Sequence, residues 1–301
     1  MTSTTGPRLL SGGPIAAEIR AGVQEEVVAF RRDHGIAPTL AVVLVGHDAP
    51  STVYLNQILR SCEKVGITGR EVELSGRVSA ADLRTRIEEL NEDPSVHGII
   101  VQMPLPERIP LSAVIDALDP AKDVDGLHPR NAGLMTLGYD GFLPTTAQAA
   151  VEILKRSGIP LDGREAVVVG RSNVVGKPAA LLLLREHASV TVLHSHTPDI
   201  AEHLRRADVA IVAVGRPGLV TGSMLKPGAV VVDVGINVVD GRIVGDVDFE
   251  SARGVVSAIT PVPGGVGPVT NALLMTHVLR AAREQAAARA GGSRALERVA
   301  K

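Results

Sequence analysis

Residues Ala166–Pro178 read AVVVGRSNVVGKP, and the reading of this stretch decides the fold. Ala166 to Gly170 are small or β-branched apolar residues ending in glycine, the pattern of a strand that is buried on both faces and enters a tight turn. Arg171, Ser172 and Asn173 offer donors where the chain turns, Gly176 permits close backbone packing, and Pro178 stands where the first turn of a helix tolerates it. The stretch is a strand, a phosphate-sized loop and a helix. A nucleoside-triphosphate loop is excluded, because five residues separate Gly170 from Gly176 and Pro178 follows Lys177 in the slot of the magnesium-binding hydroxyl. The Gly-x-Gly-x-x-Gly fingerprint is also absent as written, since Ser172 holds the second glycine position. Alone, the loop reads equally as an ordinary strand–helix turn.

The next element adds weight. A leucine-rich helix, Ala179 to His187, leads to a strand at Ser189–Leu193 and then to His194, Ser195, His196 and Thr197. In a dinucleotide fold this position meets the adenosine ribose, where an acid selects NAD through the 2′-hydroxyl. No acid is present. A hydroxyl and two imidazoles, with Arg171 nearby, suit a 2′-phosphate and point to NADP.

The 301 residues fit two domains, and 45% hydrophobic content supplies two cores. Aromatic residues are scarce (two Tyr, three Phe, no Trp), so aliphatic side chains must fill those cores. A net charge of -2 with interspersed signs gives no footprint for nucleic acid or membrane. The single cysteine, Cys62, excludes an internal disulfide framework and fits a reducing compartment. A polar start, Met1 to Arg8, and the lack of any membrane-length apolar run point to a cytoplasmic protein.

Helical and strand periods alternate through the first part: a helix at Pro14–Arg32, a strand at Leu40–Val45, a helix at Ser51–Val65, a strand at Arg70–Leu74, a helix capped by Ser79, and a strand at Gly98–Val101. Alternation implies parallel pairing, with ligands gathered at the carboxyl ends of the strands, where Gly46–Tyr54, Gln102–Pro106 and Lys122–Gly126 fall. A helix at Thr145–Ser157 precedes the nucleotide-binding stretch. Strands follow at Val209–Val214, Ala229–Gly235 and Val255–Thr260, Asp240-Gly241 reads as a hairpin turn, and a last helix runs from Asn271. The segment Pro261–Pro268 makes either a structural corner or a stretch of bare backbone against a ligand.

Taken together, Tyr54, Val101-Gln102-Met103-Pro104-Leu105-Pro106, Lys122-Asp123-Val124-Asp125-Gly126, the loop Gly170–Pro178, Val234-Gly235-Ile236-Asn237 and Pro261–Pro268 resemble, in order and spacing, the methylenetetrahydrofolate dehydrogenase/cyclohydrolase family. The resemblance runs from about Leu10 to Leu279. It implies an α/β protein of two domains: a folate-binding catalytic domain, residues 1–144 plus a returning helix at 271–290, and a Rossmann-like, doubly wound NADP-binding domain, residues 145–270, with 291–301 a disordered tail. It implies a folate substrate, NADP as cofactor and a homodimer joined through the second domain. Carried over residue by residue, Tyr54, Gln102 and Asp125 are the catalytic candidates. Val101, Met103, Pro263, Gly264, Gly265, Val266 and Gly267 join them in binding substrate, and Gly170, Arg171, Ser172, Ser195 and Ile236 bind the cofactor. No metal site is expected. Read without the resemblance, Tyr54 is more often a packing residue, Gln102 a strand terminator, and Asp123 and Asp125 an Asx turn.

The chain departs from the family pattern where it matters for chemistry. The second helix usually carries Tyr-x-x-x-Lys, and the ungapped Cys62-Glu63-Lys64-Val65-Gly66 sets Ile58 in the lysine position. Residues four apart share a helix face, so the lysine would reach the Tyr54 hydroxyl, whereas isoleucine has no proton to exchange. Gln57 lies near that face and offers an amide that does not titrate. The expectation is a dehydrogenase whose cyclohydrolase activity is weakened or lost. Two lesser departures are Pro144-Thr145-Thr146-Ala147-Gln148-Ala149, where Pro-Cys-Thr-Pro-x-Gly is usual, and Gly13, where lysine is common. They keep two rivals open, a non-catalytic folate- or NADP-binding regulatory dimer and an enzyme acting on another substrate.

Overall fold

A computed structural model describes residues 6–46 and 49–291. In chain order its elements are β1 (Arg8–Leu9), α1 (Gly12–His34), β2 (Thr39–Val45), α2 (Ala49–Val65), β3 (Thr68–Leu74), α3 (Ala80–Glu92), β4 (Gly98–Val101), α4 (Ser112–Ile115), α5 (Pro129–Thr136), α6 (Thr145–Arg156), β5 (Glu165–Val169), α7 (Gly176–Arg185), β6 (Ser189–Leu193), α8 (Ile200–Leu204), β7 (Val209–Val212), β8 (Val230–Asp233), β9 (Asn237–Val239), β10 (Arg242–Val244), α9 (Phe249–Ala252), β11 (Ala258–Ile259) and α10 (Val266–Arg289). The chain divides into two units, residues 1–16 with 144–270, and residues 17–143 with 271–301. All but one of the residues expected to form a disordered tail, 291–301, lie outside the described residues.

The second-named unit holds a three-stranded parallel sheet in the order β3-β2-β4. The apolar run of β2 is buried on both faces, as a parallel strand flanked by helices must be. One face packs Val42, Leu44 and Ile100 against α1, α2 and the C-terminal part of α10. The other packs Ala41, Val43, Ile99 and Val101 against Leu83, Ile87 and Leu90 of α3. The Ser79 hydroxyl accepts from the Asp82 N–H and caps α3, as the sequence indicates.

The other unit holds a six-stranded sheet, β1-β11-β8-β7-β5-β6, with every pair parallel. Numbered from β5, the order across β6, β5, β7, β8 and β11 is 2-1-3-4-5, a doubly wound arrangement whose direction of winding reverses between β5 and β7. The Asp240-Gly241 turn joins β9 to β10, with φ of 50° and 74° at the two residues, as a two-residue hairpin of this hand requires.

Two expectations are corrected. The N-terminal segment, assigned above to the folate-binding domain, pairs with the six-stranded sheet: Arg8 and Leu9 stand opposite Ala258 and Ile259, and Gly12 N–H donates to the Gly264 carbonyl at 2.9 Å. A side chain at Gly12 would sit 1.8 Å from the Gly265 oxygen, so the chain passes there only as glycine. The last helix begins at Val266 rather than Asn271, because Gly267 and Pro268 fall in the first turn, where a missing N–H is no loss.

Candidate active site

In the unit built on β2, the candidate residues stand at the carboxyl ends of the strands. Gln102 follows β4 directly. Asp123 bridges Ile99 in parallel, so Asp125 and Gln102 leave the sheet at the same end, two and three residues past that bridge. Val101 is buried and Met103 is 39% exposed. The Gln102 N–H is held by the Val43 carbonyl at 2.9 Å. Its side chain is 5% exposed, yet its Nε2 has no protein partner. A buried amide donor without a partner costs about 1–3 kcal/mol, and such a group is what a substrate carbonyl or ring nitrogen would satisfy.

Tyr54, in the second turn of α2, is half-buried and packs against the core. Burial, and after it the charge of Asp125, push its phenol well above the usual range, which places the two side chains within electrostatic reach of each other. Four residues on, Ile58 is fully buried in the same cluster as Leu55, Cys62, Val42 and Leu44. The position that would carry an ammonium is thus part of the core.

The loop from Lys122 to Gly126 separates the two aspartates by role. Asp123 is buried and accepts from Leu127 N–H at 3.0 Å, His128 N–H at 2.8 Å and Asn131 Nδ2 at 2.8 Å. It makes the turn, so the structural reading holds for Asp123. Burial raises its pKa against those three donors. Lys122 is buried too, with Nζ on the Leu90 carbonyl at 3.0 Å and the Asp93 carbonyl at 2.8 Å, and burial lowers its pKa. Its ammonium therefore serves the loop. His277 of α10, fully buried, donates from Nδ1 to the Val124 carbonyl at 2.8 Å. Asp125 is half-buried and presented by a loop held at both neighbours.

In the other unit, the turn Gly170–Gly176 sits at the point where winding reverses, the crevice where open α/β sheets bind ligands. Gly170 has φ of 122°, and a Cβ there would lie 2.1 Å from the Ala213 oxygen; at Gly176 it would lie 2.3 Å from the Gly170 oxygen. Both glycines are obligatory to the turn. Ser172 Oγ accepts from Val175 N–H at 3.1 Å and Gly176 N–H at 3.3 Å, its carbonyl takes Lys177 N–H, and Pro178 has no N–H. The first donors of α7 are thereby consumed within the turn. The exposed Arg171 and the hydroxyl hydrogen of Ser172 are among the groups left to meet a phosphate.

At the end of β6, His194 N–H bonds Thr197 Oγ1 at 3.0 Å and His196 N–H bonds His194 Nδ1 at 3.2 Å. Burial, Arg171 and His196 together lower the pKa of His194. Arg171 and His194 are therefore neighbours, with Ser195 exposed beside them and no acid in this turn. Ile236 is 70% exposed. In the Pro261–Pro268 segment, Gly265 is explained by the chain itself, since a Cβ would meet the Pro261 oxygen at 2.6 Å and Thr260 Cβ at 2.8 Å. A Cβ at Gly264 or Gly267 would enter open space, and Pro263 is exposed. Sequence reasoning passed over Asp233 and Asp246, whose only signal was acidic residues near two glycines, and quoted Asn237 within its motif without giving it a role.

Among the described residues no group of His, Cys, Asp and Glu side chains could hold a metal ion, and no helix is long and apolar enough to cross a membrane.

A family model described as the tetrahydrofolate dehydrogenase/cyclohydrolase catalytic domain matches residues 10–125, and one described as that family's NAD(P)-binding domain matches residues 144–286. The chain belongs to the tetrahydrofolate dehydrogenase/cyclohydrolase family, and is a two-domain α/β enzyme of that class with an NADP-binding domain. Among its relatives, the bifunctional protein FolD of Roseiflexus sp. (strain RS-1) is 51% identical over 282 residues, 93% of this chain and 98% of that protein. Among solved structures, the bifunctional FolD of Campylobacter jejuni superposes with a TM-score of 0.89 at 42% identity, covering 92% of this chain and 98% of the other. The Trypanosoma brucei methylenetetrahydrofolate dehydrogenase-cyclohydrolase, solved with NADP cofactor and inhibitor, gives a TM-score of 0.90 at 37% identity, covering 94% and 99%.

Proposed function

We propose that the protein oxidises 5,10-methylenetetrahydrofolate to 5,10-methenyltetrahydrofolate with NADP, and that hydrolysis of this product to 10-formyltetrahydrofolate is weakened or lost. The observation that carries the second half is Ile58, fully buried four residues after Tyr54, where the family pattern has lysine. Family membership and the Gly170–Gly176 turn support the first half.

The residues of the second domain fit NADP. Gly170, Arg171 and Ser172 would hold the pyrophosphate and, with Ser195 and His194, the 2′-phosphate, and Ile236 would lie against the nicotinamide end. When bound, NADP supplies the hydride acceptor. The chain's own residues supply position and charge. Gln102 Nε2 would donate to the folate head, Asp125 would anchor the pterin, and Val101 and Met103 would line the site. Tyr54 stays a neutral phenol, because burial and Asp125 both disfavour its anion, so it orients substrate by contact and hydrogen bonding. Hydride loss from the methylene carbon removes no proton there, and position suffices. Hydrolysis of the methenyl cation needs an activated water and a protonated ring nitrogen, where a titrating group contributes about 10²–10⁴-fold. Neither Ile58 nor a neutral Tyr54 provides one. The enzyme is read as cytoplasmic, which the lone Cys62 fits, and as a homodimer, which the family resemblance implies.

The test gives purified protein methylenetetrahydrofolate and NADP and follows NADPH and methenyl-folate together. Parallel rise of both is the expected result. NADPH rising while methenyl-folate stays low overturns the loss of hydrolysis, and no NADPH at all overturns the dehydrogenase in favour of another substrate or a binding role.

A further inference from the structure

Two buried carboxylates outside the residues considered so far tie together the chain segments that leave β7 and β8. Asp246, fully buried, accepts three consecutive backbone N–H groups of the segment after β7: Val214 at 2.6 Å, Gly215 at 2.9 Å and Arg216 at 2.8 Å. It also accepts Asn237 Nδ2 at 2.9 Å, from the residue next to Ile236. Asp233, the last residue of β8, accepts Gly235 N–H at 2.9 Å, Asp246 N–H at 3.0 Å and Val247 N–H at 2.9 Å, and its own N–H is held by Thr260 Oγ1 at 2.8 Å. The packing leaves no slack. A Cβ on Gly235 would lie 2.3 Å from the Asp246 carboxyl carbon, and one on Gly245 would lie 1.8 Å from Asp233 Oδ2. Charge-assisted bonds of this length in a dry interior are stronger and stiffer than the neutral contacts that usually shape a loop.

The location gives the clamp its meaning. A dinucleotide whose adenosine ribose lies at the end of β6 and whose pyrophosphate crosses the Gly170 turn must place its other half over the ends of β7 and β8, on the far side of the reversal point. Those ends continue as Val214–Arg216 and Val234–Asn237, the two segments that Asp246 joins through the first's three N–H groups and the second's Asn237. Hydride transfer is sensitive to sub-ångström placement of donor and acceptor carbons, so a device that fixes this floor bears on rate more than on affinity.

We propose that Asp246 and Asn237 are positioning residues for hydride transfer, fixing the Val214–Arg216 and Gly235–Ile236 segments as one rigid floor beneath the nicotinamide end of the cofactor, with Asp233 locking Asp246 in place. The inference rests on the reading that Ile236 faces the cofactor.

The test compares Asn237→Ala, Asn237→Ser, Asp246→Asn and Ile236→Ala with the unaltered protein. Asn237→Ala removes two bonds from a half-buried position, that to Asp246 at 2.9 Å and a long one to the Val244 carbonyl at 3.5 Å, and carries the test if Asp246→Asn fails to fold. Three quantities are read: amide hydrogen exchange of residues 214–216 and 236 in the cofactor-free protein, the dissociation constant for NADP by calorimetry, and kcat with the isotope effect on deuterated methylenetetrahydrofolate. Asn237→Ala is expected to speed exchange at both segments, leave NADP affinity nearly unchanged, lower kcat on the order of tenfold and enlarge the isotope effect. Asn237→Ser, which keeps a donor, should recover part of the loss. If Ile236→Ala lowers kcat and Asn237→Ala does not, the clamp is overturned. If Ile236→Ala leaves binding and kcat unchanged, the reading that this segment faces the cofactor fails, and the inference falls with it.

Discussion

Replacing Ile58 by lysine is the perturbation that most directly separates the two family reactions. The isoleucine is fully buried among Leu55, Cys62, Val42 and Leu44, so the substitution gives up about 1.5–3 kcal/mol of apolar burial, part of which the lysine stem restores. Its ammonium must either reach the Tyr54 side of α2 or titrate with a lowered pKa. Against a typical domain stability of about 5–15 kcal/mol the fold survives, with a melting point lower by roughly 2–4 °C for each kcal/mol lost. The gain lies in the second reaction. A proton-transferring group beside Tyr54 should raise hydrolysis of methenyl-folate about 10²–10⁴-fold. That corresponds to about 2.7–5.4 kcal/mol off the barrier. The assay follows the decay of the methenyl absorbance without NADP, with Ile58→Met as an apolar control of similar volume, and NADPH formation is measured on the same preparations. Hydride transfer should change far less. A folded Ile58→Lys protein that hydrolyses methenyl-folate no faster than Ile58→Met would refute the assignment of the deficit to this position.

Gln102→Leu should both stabilise and disable: it removes a buried donor without a partner, worth about 1–3 kcal/mol, so the melting point should rise while kcat/KM for the folate drops at least about tenfold. A melting point that falls would show that Nε2 is satisfied within the protein. Gly170→Ala drives a methyl into the Ala213 carbonyl at a φ of 122°, and equilibrium dialysis should find NADP binding abolished in whatever fraction still folds. For pH, burial lowers the pKa of His277 to about 4, below the ordinary 6.5 of the unfolded chain. The unfolded chain then binds the extra proton first, so the contribution is complete above pH 6.5 and is lost as pH falls towards 4, about 3 kcal/mol in all. Denaturant titrations of His277→Asn across this window should show a shallower dependence on pH than the unaltered protein, and an identical slope would exclude His277 as the titrating group.

What the sequence made legible was local. β4 at Gly98–Val101 and β6 at Ser189–Leu193 fall at their expected limits, because a short apolar run bounded by turn residues has few alternatives. Ser79 and Asp240-Gly241 act through bonds and dihedrals spanning a few residues, so their roles could be read directly. What was hidden depends on partners far along the chain. The pairing of Arg8 and Leu9 with Ala258 and Ile259 spans some 250 residues and involves only two positions per strand, too short to leave a period. Asp123 and Asp125 share one motif and diverge only because Asn131 and the His128 N–H close on the first. The Asp233–Asp246 clamp was invisible for the same reason: all its donors but the Asn237 amide are backbone groups, which carry no sequence signal of their own. Glycines 235 and 245 were its only trace, and they take their meaning from the carboxylates beside them.

The burial of Ile58 has a chemical corollary. An ammonium on that face of α2 would stand close to Tyr54 and in the field of Asp125, so the lysine form carries a cation in the region where the substrate's reacting end becomes cationic on oxidation. Its absence removes a like charge from a site that must tolerate a methenyl cation, and like charges at close range cost the most where burial lowers the dielectric. A site with Asp125 and a neutral Tyr54 but no ammonium should therefore hold the methenyl product more tightly than its lysine-bearing variant. Product inhibition supplies the measure: Ile58→Lys should weaken inhibition by methenyl-folate even before hydrolysis is counted, measured against a non-hydrolysable cationic analogue. Equal inhibition of both proteins would mean that the position acts on proton transfer alone.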